Sequence, residues 1–129
     1  MSLKQEILTT VVTKLREQNA PSIDKDDNCV YRGPGGRRCA LGWLIPDELY
    51  KPEIEGTFPY ELFMFIYDYE FTISINIFLH DLRETHDAWK FFRERVMERS
   101  GLLGLDYSFS QVEPEYRKLA LKWGLDYPE

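Results

Sequence analysis

Apolar residues near the start of the chain recur at helical spacing. Leu3, Ile7, Val11 and Leu15 fall every fourth residue, with Leu8 and Val12 beside them. The spacing predicts a helix over about 3–18. Ser2 and Gln5 stand at capping-box separation at its start. Asn19-Ala20-Pro21 ends it, because proline disfavours helical backbone in the residue before it and supplies no N–H. Residues 22–28 carry Asp24, Asp26 and Asp27 against one Lys25, which predicts a polar loop that builds no core.

Further along, Tyr60, Leu62, Phe63, Phe65, Ile66, Tyr67 and Tyr69 are too evenly apolar to define one face, and a short buried helix is the expectation. Phe71 to Ile77 alternates apolar and polar like a strand, yet Ile75, Phe78, Leu82, Thr85, Trp89, Phe92 and Val96 step by three and four. The longer pattern decides for a helix from about Ser74 to Ser100-Gly101, continuous or broken near His86. Ser110-Gln111-Val112-Glu113 is a second capping-box pattern. Pro114 would sit in the first turn, and Tyr116, Leu119, Ala120 and Trp123 form one stripe before Gly124.

The segment without helical periodicity is NCVYRGPGGRRCALGWLI, residues 28–45. Cys29–Arg32 and Arg37–Ala40 flank Gly33-Pro34-Gly35-Gly36, and turn residues between two β-compatible runs predict an irregular hairpin with Cys29 near Cys39. A helical turn is expected at 45–50 and irregular chain to Tyr60. The fold class expected is therefore α+β and mostly helical: one domain over 1–129, a β-hairpin packed on three to five helices. Phe63, Phe65 and Trp89 would join the first and last helices in a shared core. An all-α domain with 29–39 as an ordered loop is the alternative.

Composition narrows the function. With 129 residues there is room for one domain, and 16 Lys+Arg against 22 Asp+Glu give a net charge of −6, which excludes broad nucleic-acid coating. No apolar run approaches the ~20 residues of a membrane span, and the N-terminus has no signal-peptide core. Two cysteines are too few for a disulfide scaffold, so a cytoplasmic domain with reduced thiols is expected, with no cofactor.

Against the acidic whole, residues 29–46 hold Arg32, Arg37 and Arg38 and no carboxylate. Guanidinium groups pair with phosphate or carboxylate, and glycine N–H groups can complete an anion nest. Tyr31 and Trp43 could stack a base, and His86 could add a hydrogen bond. The competing explanation is that these arginines simply pair with local acids. Absence of Gly-Lys-Ser/Thr after the glycines excludes a P-loop.

Metal chemistry has two candidate donor sets. Cys29, Cys39, His80 and His86 are of the right type for zinc but lack close-paired spacing, and buried thiols are the stronger reading. His80, Glu84 and Asp87 share one helix face, with Asp81 and His86 adjacent, and could hold an ion that polarises a phosphoester. Arg83 and Lys90 offer those acids ordinary ion-pair partners.

The motif NCVYRGPGGRRCALGWLIPDELY, followed by HDLRETHDAW, resembles a group of small proteins of tailed phages and prophages. The shared positions are Cys29, Tyr31, Arg32, Pro34, Cys39, Ala40, Gly42, Leu44 to Glu48, Asp81, Leu82, His86 and Asp87. The resemblance implies a mobile-element setting and transfers no activity. Three functions are expected from these observations. The first is a binding protein that engages a nucleotide, another phosphate-containing anion or a host protein through Tyr31, Arg32, Arg37, Arg38, Trp43 and His86. The second is a metal-dependent phosphoester hydrolase on the His80/Glu84/Asp87 face. The third is an interaction module or homodimer using Phe65, Tyr67 or Tyr69.

Overall fold

A computed structural model describes residues 2–92, 94–97 and 103–129. Among the described residues four α-helices carry the fold: α1 (Leu3–Gln18), α2 (Tyr60–Tyr67), α3 (Ile73–Ala88) and α4 (Phe109–Trp123). The first helix forms as its periodicity dictates, with Ile7, Leu8, Val11, Val12 and Leu15 buried. Ser2 Oγ accepts the Gln5 N–H at 3.2 Å, but Gln5's side chain exchanges two 2.8 Å bonds with the backbone of Asp126 instead of closing the capping box. Asn19 ends the helix in the left-handed conformation, and its side chain accepts the Phe109 N–H at 2.6 Å. One residue thus closes α1 and ties it to the start of α4.

The α+β expectation is overturned. The fold is mostly helical, and the Cys29–Cys39 segment forms no β-hairpin, only single bridges between Ile23 and Cys29 and between Arg32 and Arg38 around a 3-10 turn at Pro34–Gly36. The reason lies in where the backbone donors go. Glu55 accepts the N–H groups of Tyr31 and Arg32 at 2.8 and 3.1 Å, and Gln18 accepts that of Arg38 at 2.9 Å. Side chains satisfy the groups that strands would have paired. A short antiparallel ribbon does pair β1 (Glu94–Met97), which periodicity assigned to the end of the long helix, with β2 (Leu103–Asp106) beyond that expected end.

That helix, α3, begins at Ile73 behind the N-cap Thr72 and ends at Ala88, where a 3-10 turn over Trp89–Phe92 takes over. Trp89 is fully buried and donates its indole N–H to Ser108 O at 3.1 Å, which turns the chain toward α4. The expected end at Ser100-Gly101 lies outside the described residues. The cap of α4 is Ser108, two residues before the expected Ser110, in a reciprocal box with Gln111, so Pro114 lies inside the helix. The core joins α1, α3 and α4 with Tyr31, Cys39, Leu41 and Ile45 from the connecting segment. Phe63 and Trp89 belong to it as expected, whereas Phe65 is 72% exposed. Within the polar loop 22–28 only Ser22 is buried, as a polar residue, while Ala20 and Pro21 just before it are also buried.

Candidate functional site

The arginine segment is a structural knot. Arg32 and Arg38 both donate to Oδ1 of Asp47, at 2.6 and 2.8 Å, and Arg32 also donates to Ile45 O at 2.8 Å. Their guanidinium groups lie over the rings of Tyr50 and Trp43, 4.8 and 4.9 Å from the centroids. Hydrogen bonding from Arg32 and the charge of Arg38 hold the Asp47 carboxyl below the ordinary aspartate range. Tyr31 is buried and its hydroxyl donates to the Thr57 carbonyl, so no ring face is open for stacking. Trp43 is half-buried, with the Lys14 ammonium also 5.5 Å from its ring centre. Gly42 is demanded by close packing, since a Cβ there would stand 2.2 Å from Tyr31 O. Arg37 is exposed and makes no ion pair among the described residues. With Lys14, Glu17, Gln18 and Trp43 it lines a shallow groove of about 360 Å³.

His86 is placed in the core. Its Nε2 accepts the Ser22 backbone N–H at 3.2 Å, and its Nδ1 lies 3.3 Å from Asp87 Oδ1. A backbone amide only donates, so Nε2 is the unprotonated nitrogen and Nδ1 carries the hydrogen toward Asp87. Donor atoms of Cys29, His86 and Asp87 lie within 4.8 Å of one another, the one such cluster among the described residues. An ion there would need the lone pair of Nδ1, which the proton occupies. Moving that proton to Nε2 would set two donors against each other at Ser22. The site's geometry therefore suits a hydrogen-bonded histidine better than a ligand. Burial pushes the Cys29 and Cys39 thiols up to about 12, so both are protonated and weak nucleophiles at neutral pH. The two cysteines do come together as expected, lining one small cavity of about 40 Å³ with Tyr31 and Asp87.

The other expected metal set disperses. His80 stacks on Phe58 with ring centres 3.9 Å apart, Glu84 lines a groove between α3 and α4, and Asp87 faces His86 and Arg83. Asp81 is held by Lys122 and the Trp123 indole, each at 2.9 Å. Shared helix angle did not bring these groups to one point.

A different surface is left unpartnered. Six of the nine most exposed large apolar side chains among the described residues lie between Tyr60 and Ile77: Tyr60, Met64, Phe65, Tyr69, Ile73 and Ile77. Tyr69 is 87% and Ile73 81% exposed. Helix α2 buries only Phe63 fully; Leu62, Ile66 and Tyr67 are partly buried against the core, while Tyr60, Met64 and Phe65 face solvent. Between these residues stand Glu61, Asp68 and Glu70, all exposed and without a cation partner among the described residues. Elsewhere Asp47, Asp81, Asp87, Glu113, Glu115 and Glu129 each meet a lysine or arginine.

Of the expected surface residues Phe65, Tyr67 and Tyr69, Tyr67 is instead partly buried against the core and stacked on Phe63, and Tyr60, Met64, Ile73 and Ile77 were not expected. A signal was present. From Pro52 to Leu82 the chain has six carboxylates and no lysine or arginine, so the whole net charge of −6 falls in this stretch and the remainder is balanced. No protein family, curated protein or solved structure matches this chain. Among the described residues no helix is long and apolar enough to cross a membrane.

Proposed function

We propose that this chain is a protein-interaction module whose recognition face is built by Tyr60, Met64 and Phe65 of α2, Tyr69 of the following turn, and Ile73 and Ile77 of α3. The observation that supports it is this concentration of exposed large apolar side chains. Burying one Phe-sized side chain contributes about 1.5–3 kcal/mol, so a folded chain that leaves six in water forgoes a large stabilisation that a partner can recover. The likeness of the Cys29–Glu48 motif to phage and prophage proteins supports a host protein as that partner. On this reading the motif itself maintains the fold, since Arg32, Arg38, Cys39 and Gly42 are all engaged internally.

Anion binding is the second reading, supported by unpaired Arg37 beside Lys14 in the groove at Trp43. A photo-crosslinking amino acid at position 65, compared with one at the still more exposed Leu121, tests the first reading in producing cells. A discrete adduct from position 65 alone is expected. Equal adducts from both positions, or none from 65, would discard the docking face. Nucleotide binding abolished by Lys14→Ala plus Arg37→Ala would favour the second reading.

A further inference from the structure

The acidic rim specifies the partner. Resting on the docking face above, we infer that its occupant is a positively charged amphipathic helix of another protein. Two observations lead there. Tyr60–Met64 on α2 and Ile73–Ile77 on α3 are each separated by four residues, so each pair forms a ridge along its helix, with Tyr69 on the turn between the two helices. Ridges of this spacing receive the apolar stripe of a third helix, and methionine and aromatic side chains adapt to varied knobs. Glu61, Asp68 and Glu70 then stand beside the stripe, and no lysine or arginine of residues 52–82 neutralises them.

A partner helix with lysines or arginines flanking its apolar stripe would supply the missing countercharges. The same charges weigh against the other occupants. A second copy docking face to face would set Glu61, Asp68 and Glu70 against their own images, and like charges opposed across an interface cost affinity. An anionic bilayer would repel the rim. Beside the face, Ser2, Leu3, Lys4, Glu70, Thr72 and Ile75 line a groove of about 320 Å³, so Glu70 shares its groove with one lysine, whereas Glu61 and Asp68 have none beside them among the described residues.

The test uses the full chain and two synthetic helices of about 18 residues, each with leucines at i, i+3, i+4 spacing and either lysine or glutamate at the other positions. Titration by NMR and calorimetry is expected to show the lysine helix shifting amides of residues 60–77, and the glutamate helix shifting none. Glu61→Lys plus Glu70→Lys should weaken the lysine helix about tenfold, and so should raised salt. Phe65→Ser plus Tyr69→Ser should weaken it by a similar factor.

Equal binding of both helices at residues 60–77 would overturn the charge inference while leaving the docking face standing. Shifts elsewhere, or insensitivity to Phe65→Ser plus Tyr69→Ser, would overturn both. Self-association abolished by the same serine variants, or uptake onto phosphatidylserine vesicles through residues 60–77, would replace the basic helix with a second copy or a membrane.

Discussion

His86 Nε2 accepts the backbone N–H of Ser22 across 3.2 Å, which fixes the ring as the Nδ1-protonated tautomer and fastens the loop after α1 to α3. His86→Ala leaves that amide unsatisfied beside a new cavity and is expected to cost about 3 kcal/mol by urea denaturation. His86→Gln, whose amide oxygen can reach the amide, should restore part of the loss.

The same tautomer leads to an expectation about metal. Cobalt or zinc added to the folded protein should produce no thiolate-to-metal charge-transfer absorption, because Cys29 is protonated and the Nδ1 lone pair is filled. A stoichiometric band would show that Ser22 gives way to an ion.

Gly42→Ala should be severe. A Cβ 2.2 Å from Tyr31 O cannot be absorbed by rotating a side chain, since the obstacle is backbone. Loss of about 3 kcal/mol or more is expected, read as a fall in thermal midpoint. An unchanged midpoint would mean that the knot around Tyr31 is looser than described.

Phe63 and Phe65 separate packing from recognition within one helix. Phe63→Ala, at a fully buried position, should cost about 3–5 kcal/mol. Phe65→Ser should change stability by no more than about 0.5 kcal/mol while reducing hydrophobic-dye binding. A large loss at position 65 would place that ring in the fold and remove it from the docking face.

Acid should weaken the fold through three carboxylates. Arg32 and Arg38 lower the Asp47 pKa, Tyr127 and Arg16 that of Glu113, and Arg117 that of Glu129. A lowered folded pKa means that the unfolded chain binds more protons as pH falls. Their stabilisation is therefore complete above the ordinary values, 3.8 for Asp47 and 4.5 for the two glutamates, and is lost as pH drops through the lower folded values. Urea midpoints measured from about pH 6 to about pH 3 should decline across this window, and Asp47→Asn should remove its share.

By itself the sequence determined the helices whose apolar residues repeat, above all α1, and the start of α3, because side-chain periodicity and caps are local properties. It also contained the charge asymmetry between Lys51 and Arg83. Tertiary structure alone decided the rest. Glu55, far along the chain, takes the amides that a hairpin at Tyr31 and Arg32 would have paired, and Asp47 takes two of the three guanidinium groups expected to face a ligand. Whether Phe65 or Phe63 faces the core could not follow from a helix apolar on every side, where composition supplies no inward direction and only the neighbouring elements choose one.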